Sequence, residues 1–284
     1  MRIFTDTNCE IDFEEFNDLG VELIKMPYTL DGQMSYYDLG ENTNLSDFYA
    51  AMEKGAVAKT QALNEHDYIE YFEPVLKNGE DILYISFSHT MSGTFNSMNM
   101  AIASLKEKYP DRTITCIDSG QISIGGGILV KEVIKNYRQG MSLSEIPRLV
   151  ERLRGKIMIY VTVGDLEYLR RGGRISRMKS MVGSILGFKP IIYMDGVRGM
   201  LDSAGKVKGR KAAIKHIIGI VEASELEEGS ELVILYAGCL EDAEIIKENL
   251  LEKYNNNPIK MHEVGPVVGA HCGPGTVGIV FIKK

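Results

Sequence analysis

The chain has 284 residues, of which 44% are hydrophobic and 25% are charged, and its formal net charge is −7 at pH 7. This length predicts two domains, since a domain commonly holds about 150 residues. The acidic balance argues against general binding of nucleic acid. The first residues lack the apolar core of a signal peptide, and no run approaches the ~18 apolar residues of a membrane span. We therefore expect a cytoplasmic protein.

The cysteine pattern argues against a disulfide framework and against a zinc site. The four cysteines are widely spaced and form no CxxC pair: Cys9, Cys116, Cys239 and Cys272. Reduced thiols are the default for such a pattern in a cytoplasm. The histidines also lack the spacing of metal ligands, so we expect neither a metal nor a cofactor.

Apolar runs predict a series of β-strands in chain order, at residues 2–5, 21–26, 82–86, 113–117, 157–163, 191–194, 232–236, 260–264 and 277–282. Helical patterns lie between many of them. In the first half, strands and helices alternate, which predicts an α/β domain whose parallel sheet is covered by helices on both faces. The second half has longer strands and two long helices and is expected to be an α+β layer. We place the domain boundary near Gly155, giving domains 1–155 and 156–284.

Three helices have clear signals at their ends or faces. Asn64 is a good N-cap for a helix that buries Tyr68 and Phe72. The apolar spacing over residues 95–108 predicts a second helix. Ser142 and Glu145 form a possible capping box for a third helix that ends near residue 153.

The most informative segment is a Ser-Gly-Thr turn between the strand at 82–86 and the helix at 95–108. Ser92 and Thr94 lie where the helix begins, so free backbone N–H groups, hydroxyls and the positive end of the helix dipole meet there. Such a point can bind a phosphate or a carboxylate. The alternative is that these hydroxyls only cap the helix.

Other polar turns have similar positions. Asp6 follows the first strand, and Asp118 follows the strand at 113–117 and precedes a helix. Thr60 lies in an irregular stretch before Asn64. Asp118 either contributes to a ligand crevice at the carboxyl edge of the sheet or only fixes its own turn. We expect these turns to converge with the Ser-Gly-Thr turn on one crevice.

A glycine-rich segment near the end contains the pattern GxGxxG at residues 273–278, but it is not a dinucleotide site. A strand follows it, so no helix N-terminus is available for a pyrophosphate. The segment is expected to be a tight loop between two strands, with His271 just before it. His271 could be structural, or it could face a ligand, as loop residues often do.

The segment 170–179 concentrates five basic residues in an acidic chain. It is either a solvated surface loop or a guanidinium cluster for an anionic ligand or partner. The paired glycines within it suggest that the backbone aims Arg170 or Arg174 at a specific point.

Taken in order, these segments resemble the DegV family, whose members are fatty-acid-binding proteins that present acids to a bacterial fatty acid kinase. The resemblance covers nearly the whole chain. It includes Asp6-Thr7, Thr60, the stretch from Ser88 to Thr94, Asp118-Ser119, the Leu-Arg-Arg-Gly-Gly-Arg-Ile-Ser run at 169–176 and the His-Cys-Gly-Pro-Gly run at 271–275.

The resemblance implies two α/β-type domains with a long-chain fatty acid between them. It implies that the carboxylate is bound by Thr60 and Ser92, with Thr94 and His271 in the same site. Arg170, Arg174 and Asp118 would lie near the head group or where a partner docks. Such a protein is not itself an enzyme: a separate kinase subunit, similar to dihydroxyacetone kinase, uses ATP to convert the bound acid to an acyl phosphate.

An acyl chain also fits the composition. Burying about fifteen methylenes contributes about 12 kcal/mol gross at ~0.8 kcal/mol each, so the chain supplies most of the affinity and the hydroxyls mainly fix its orientation. The run at 181–188, which precedes residues 189–192, is our candidate for the tunnel wall, and the candidate residues are Ile185, Leu186, Phe188 and Ile191.

Two other functions remain open from the residues. Ser92 could be the nucleophile of an acyl hydrolase or transferase, with His271 or His89 as its base; the turn is, however, not a G-x-S-x-G elbow. A regulatory or nucleotide-binding module is the second alternative, although the chain lacks a Walker-type phosphate loop.

Overall fold

The computed structural model describes residues 1–175 and 187–284. In this part of the chain the strands are β1 Arg2–Asp6, β2 Glu22–Ile24, β3 Pro27–Leu30, β4 Gln33–Tyr36, β5 Ala58–Thr60, β6 Ile82–Ser86, β7 Ile114–Asp118, β8 Ile157–Thr162, β9 Phe188–Asp195, β10 Met200–Lys208, β11 Leu232–Ala237, β12 Ile259–Glu263 and β13 Thr276–Ile282. The helices are α1 Phe13–Asp18, α2 Leu45–Glu53, α3 Glu65–Lys77, α4 Thr94–Lys108, α5 Ile124–Arg138, α6 Ile146–Arg154, α7 Leu166–Arg171, α8 Arg210–Glu222, α9 Leu240–Leu251 and α10 Pro266–Cys272. Every predicted strand is present; the strand at 82–86 has its predicted bounds, and each of the others has at least one end shifted.

The first sheet has the order β2-β1-β6-β7, and all of its strand pairs are parallel. All residues of β6 are buried, as expected for a central strand that is covered on both faces. The predicted parallel sheet of the first half is therefore confirmed. Because the strands are parallel, their carboxyl ends meet at one edge, where Asp6, Ser86 and Asp118 end β1, β6 and β7.

A small antiparallel sheet with the order β4-β3-β5 was not predicted. Its strands have only three or four residues each, too few for the alternation of polar and apolar residues to stand out. This sheet positions Thr60, which ends β5 and pairs with Tyr28 of β3.

The second sheet has the order β10-β9-β8-β13-β11-β12 and is mixed: β11 and β12 are parallel, and the other pairs are antiparallel. Alternate residues face two different cores. Leu235 and Val280 join the core that continues into the first sheet, whereas Ile234 and Ile279 pack with residues of α8 and α9. One face of the second sheet is thus turned towards the first half of the chain.

The described strands before residue 155 belong to the first sheet and to the small antiparallel sheet, and those after it belong to the second sheet. The change of sheet falls between β7 and β8. A division into domains 1–155 and 156–284 stays a prediction.

Two local predictions were wrong. The helix expected from Ser142 begins at Ile146; Ser142 donates to the Glu145 carboxylate, but within a turn that precedes the helix. The segment between β12 and the glycines is not a loop: it contains α10, which carries His271. By contrast, Asn64 is the N-cap of α3 as predicted, and together with Asp67 it forms a capping box that was not predicted.

Candidate functional site

A cavity between the carboxyl edge of the first sheet and one face of the second sheet is the candidate site. Its wall includes Phe87 and Ile122 from the turns after β6 and β7, Ile159 from β8, Leu235 from β11 and Val267 from α10. Aliphatic side chains dominate the lining, which is typical of a site for an apolar ligand with a few fixed polar contacts. Carboxyl ends of parallel strands are where ligand crevices form in such folds.

The buried Asp6 carboxylate fixes two of the turns that form this cavity. One oxygen accepts from the backbone N–H of Asn8 at 3.0 Å, and the other accepts from the N–H of Phe87 at 3.1 Å. The Tyr84 hydroxyl donates to the same carboxylate at 2.9 Å. Asp6 therefore organises the turns after β1 and β6 without itself lining the cavity.

Thr60 and His271 form the first polar pair of the lining. Thr60 Oγ1 lies 2.8 Å from His271 Nε2. His271 Nδ1 is buried and has no hydrogen-bond partner in residues 1–175 and 187–284; it lies against Gly172, where an added Cβ atom would overlap it. A proton on Nε2 avoids burying an N–H group without an acceptor. In that tautomer His271 donates to Thr60, and the Thr60 hydroxyl keeps its own proton for another acceptor.

His271 is neutral at pH 7. Burial, and secondly the positive charge of Arg174, lower the pKa of His271 to about 4. Both causes disfavour the imidazolium form. The ring therefore stays uncharged at pH 7, and it acts in this site only through hydrogen bonds.

Ser92 supplies the second hydroxyl. Its Oγ accepts from the backbone N–H of Thr94 at 3.2 Å, so it does satisfy a donor at the beginning of α4. Ser92 also lines the cavity. Ser92 can thus both cap α4 and bind an anionic ligand, because accepting one hydrogen bond leaves the hydroxyl proton available to a ligand.

Arg174 closes the rim of the cavity. Its Nη2 donates to the carbonyl of Met91 at 2.9 Å, and its Nη1 donates to the carbonyl of Gly172. The guanidinium thus connects the segment after α7 to the turn that carries Ser92. Arg174 also lines the cavity.

A second depression, which we call the basic vestibule, adjoins this rim. Its charged lining residues are Lys59, Arg170, Arg171 and Arg174, and it shares Thr60 and His271 with the cavity. Arg170 lines only the vestibule, where its guanidinium makes two bonds of 2.6 Å to Glu167. These two bonds, together with the hydrogen bond that Arg171 donates to the same carboxylate, lower the pKa of Glu167 to about 2.

Two residues assigned to the head-group region lie elsewhere. The Thr94 side chain is fully buried, contacts the Tyr68 hydroxyl at 3.1 Å and does not line the cavity. We therefore remove Thr94 from the carboxylate site. Asp118 lines a separate polar cleft, where it contacts His89 and accepts from the N–H of Gly120 at 2.8 Å. Asp118 thus stabilises its own turn through the hydrogen bond from Gly120.

The tunnel assignments require correction. Ile191 is fully buried, but on the face of β9 that packs with α8, whereas the adjacent Ile192 lines the cavity. Successive side chains of a strand point to opposite faces, so the prediction was displaced by one residue. Phe188 is 39% exposed and is not part of the lining. Ile185 and Leu186 lie outside the described residues.

Sequence reasoning missed several polar lining residues. Asn8 and Ser123 belong to predicted polar turns but were not assigned to the site, and Thr276 lies at the beginning of β13. The position of Asn8 and Ser123 just after strands β1 and β7 was the available signal. No comparable signal marked Thr276.

No group of three or more His, Cys, Asp or Glu side chains in residues 1–175 and 187–284 could hold a metal ion. None of the helices in this part of the chain combines the length and apolar character needed to cross a membrane.

Comparisons with known proteins agree with this architecture. The family model described as "Uncharacterised protein, DegV family" matches residues 1–284. A DegV domain-containing protein of Clostridium perfringens is 33% identical over 281 residues, which cover 99% of this chain and 96% of the relative. The chain therefore belongs to the DegV family.

Solved structures have the same fold. A fatty-acid-binding DegV family protein from Thermus thermophilus superposes with a TM-score of 0.86 at 25% identity, covering 100% of both chains. A stearic-acid-binding protein from Eubacterium ventriosum also gives a TM-score of 0.86, at 22% identity, over 100% of this chain and 99% of the other.

Proposed function

We propose that this protein binds a long-chain fatty acid, with the carboxylate between Thr60 and Ser92 and the acyl chain in the apolar cavity. One observation carries the proposal. Each hydroxyl accepts a hydrogen bond from the protein, Thr60 from His271 and Ser92 from the N–H of Thr94. Each can therefore donate its proton to an anionic oxygen at the rim of an otherwise apolar cavity.

The comparisons support the ligand class. The Thermus thermophilus protein, which has the same fold over its full length at 25% identity, binds a fatty acid. The apolar lining fits such a ligand, because about fifteen buried methylenes contribute about 12 kcal/mol gross. The two hydroxyls would then mainly select for a carboxylate and determine at which end of the cavity it lies.

The cavity must widen to take a long chain. Its volume of about 120 Å³ is below the ~300 Å³ at the lower end of small-molecule sites. Met26 and Met91 are in the wall, and their unbranched side chains can change rotamer with little cost. We therefore expect binding to be accompanied by rearrangement of the wall.

We further propose that the protein presents the bound acid to a separate ATP-dependent kinase subunit, and that the basic vestibule is where phosphoryl transfer takes place. The vestibule shares Thr60 and His271 with the cavity, so a carboxylate at Thr60 would face it. Its four cationic side chains suit a phosphate group or an acidic partner surface.

The geometry does not favour an acyl hydrolase. In the described part of the chain, neither His271 nor His89 forms a hydrogen bond with Ser92: His271 contacts Thr60, and His89 contacts Asp118. A histidine whose pKa is about 4 is also a weak general base at pH 7. The serine–histidine pair that this reaction requires is thus absent from residues 1–175 and 187–284.

The first test is to purify the protein under native conditions and to identify small molecules in a denatured extract by mass spectrometry. We expect one fatty acid per chain. A protein that contains no fatty acid and does not take up added palmitate or oleate would contradict the proposal. Hydrolysis of a chromogenic acyl ester that is abolished in Ser92→Ala would support the hydrolase instead.

A further inference from the structure

The tip of the hairpin formed by β9 and β10 joins the two halves of the chain beside the cavity. The tip comprises residues 195–199, and the carbonyl of its Gly199 accepts hydrogen bonds from two hydroxyls of the turn after β6. Ser88 Oγ donates to this oxygen at 2.5 Å, and Thr90 Oγ1 donates to it as well. We call this contact between the tip and the hydroxyls of Ser88 and Thr90 the clasp.

Two glycines allow the tip to approach the first half of the chain this closely. A Cβ atom at Gly196 would overlap the carbonyl of Arg154 and the side-chain amide of Gln121, and one at Gly199 would overlap the Ser88 hydroxyl. Both glycines are buried. The clasp therefore consists of hydrogen bonds and backbone contacts. Such contacts stabilise an interface less than the burial of large apolar side chains does, so the clasp can open without unfolding either half.

The hairpin has only a short ladder to the rest of its sheet. β9 and β10 pair with each other at eight positions, and β10 is the edge strand. In the described part of the chain, β9 pairs with β8 at only two positions, Tyr193 with Tyr160 and Ile192 with Val161. Beyond Tyr193 the hairpin leaves this ladder. The clasp therefore anchors the tip.

The clasp holds two walls of the cavity together. Ile192 and Leu201 of the hairpin line the cavity from one side, and Phe87 of the turn after β6 lines it from the other. Phe87 directly precedes Ser88, which is itself outside the lining. Opening the clasp would thus part the cavity wall, whereas a substitution at Ser88 removes no side chain that contacts the ligand.

A long acyl chain needs such an opening. The cavity is narrower than the chain, and its polar rim is a poor entrance for an apolar tail, which would pass the Thr60–His271 pair and the Arg174 guanidinium first. Parting the hairpin from Phe87 exposes the apolar wall along its length instead. Elements that close over a ligand commonly set the rates at which it enters and leaves.

We propose that the clasp controls ligand exchange: release of Gly199 from Ser88 and Thr90 admits the acyl chain, and its return closes the cavity over the chain. The inference rests on the proposed binding of fatty acids and concerns the control of that site. Association and dissociation require the same opening, so the clasp limits both rates and changes the affinity much less.

A disulfide across the clasp tests this inference. A Cβ atom at position 199 would lie 3.6 Å from Ser88 Cβ, which is within the range found in disulfides. The rates of binding and release of a fluorescent fatty acid are measured by stopped flow on Ser88→Cys/Gly199→Cys, before and after oxidation of one sample. We expect oxidation to slow both rates at least about tenfold, and reduction to restore them.

The reduced sample controls for the strain of a side chain at Gly199, whose φ is 68°. Ser88→Cys alone, oxidised in the same way, controls for the four native cysteines. Oxidised double variant that binds and releases the fatty acid as fast as the reduced sample would overturn the inference, because the chain would then enter elsewhere.

Removing the two hydroxyls is the converse test. We expect Ser88→Ala/Thr90→Val to raise both rates about three- to tenfold, as the loss of one or two hydrogen bonds would give. Thr113→Val, at an exposed threonine, is the control and should leave the rates unchanged. Unchanged rates in Ser88→Ala/Thr90→Val would overturn the inference, and this variant decides alone if the disulfide does not form. Wild-type protein that binds no fatty acid would instead contradict the proposed function, and the inference with it.

Discussion

The chemistry proposed for the head-group site depends on which atoms of two hydroxyls are already occupied. Thr60 and Ser92 each accept a bond from inside the protein, from a neutral imidazole and from a backbone N–H. A hydroxyl held in this way is oriented as a donor before any ligand arrives. Preorganised donors of this kind favour a carboxylate over a neutral ester or alcohol, because hydrogen bonds to a charged acceptor are stronger.

Replacing Thr60 with valine removes this donor while keeping the shape of the side chain. We expect the affinity for palmitate to fall about tenfold, the equivalent of one charge-assisted hydrogen bond. Isothermal titration of both proteins would measure the change. Thr113→Val, an exposed threonine at the beginning of the β7 region, is the control and should bind as the wild type does. Unchanged palmitate affinity in Thr60→Val would show that Thr60 is outside the carboxylate site.

The two arginines should respond differently to charge reversal. Arg170 is exposed and lines only the basic vestibule, whereas Arg174 lines the cavity and binds the Met91 carbonyl. We expect Arg170→Glu to lower acyl-phosphate formation by a fatty acid kinase at least about tenfold, with little change in palmitate affinity. Arg174→Glu should reduce both acyl-phosphate formation and palmitate affinity.

Arg148→Glu, exposed on α6, is the control for the change in net charge. Turnover and affinity would be measured on the same preparations. Equal losses of affinity and turnover in Arg170→Glu would place Arg170 in the ligand site. Wild-type turnover in that variant would exclude the vestibule as the place of phosphoryl transfer.

At the scale of elements, α10 and the segment after α7 hold the site together. His271 packs against Gly172 so closely that any side chain at that position would overlap the imidazole ring. Glycine is thus required here by the approach of a side chain and not by its own φ angle. The contact sets the position of the ring, and with it the orientation of the Thr60 hydroxyl.

Gly172→Ala should therefore displace His271. We expect palmitate affinity to fall about tenfold, and the free energy of unfolding to fall by about 1–3 kcal/mol, as in other overpacked sites. Gly219→Ala, within α8 and with no atom near the added methyl group, is the control and should be neutral or slightly stabilising. Urea unfolding and titration of both variants would test this. A Gly172→Ala protein with normal affinity would show that the position of His271 does not matter for binding.

The sequence was a good guide to elements with strong periodicity and a poor one to short or exceptional elements. The parallel strands of the first half are continuous apolar runs, so they were predicted. α10 was missed because its sequence, Pro-Val-Val-Gly-Ala-His-Cys, has two β-branched residues and a glycine, which disfavour helix in isolation. Packing against β5 and α7 overrides that preference. The tunnel prediction failed by one residue at Ile191, since an apolar strand buried on both faces does not reveal which face is which.

At the scale of the whole molecule, a buried charge cluster connects the first turn of the chain to the second sheet. His262 of β12 lies 3.0 Å from Asp12 and 3.7 Å from the buried Glu10 carboxylate. Burial disfavours the charged imidazole, but the two carboxylates outweigh it and raise the pKa of His262 to about 9. His262 is therefore cationic at pH 7. Its positive charge compensates the negative charge of Glu10. The Glu10 carboxylate also accepts hydrogen bonds from the Ser123 hydroxyl and from the N–H of Gly265 at the beginning of α10.

This cluster predicts a specific loss of stability in alkali. The pKa of His262 is higher in the folded protein than the ~6.5 of an unfolded chain, so its contribution is complete below pH 6.5 and is lost as the pH rises to about 9. Urea unfolding at pH 6.5, 8 and 9.5 should show a fall in the free energy of unfolding of at most about 3 kcal/mol. His262→Gln should be less stable at pH 6.5 and should lose most of this pH dependence, whereas the exposed His66→Gln should behave as the wild type does. The same pH dependence in His262→Gln would show that other groups cause it, and that the two halves of the chain are not joined through this charge.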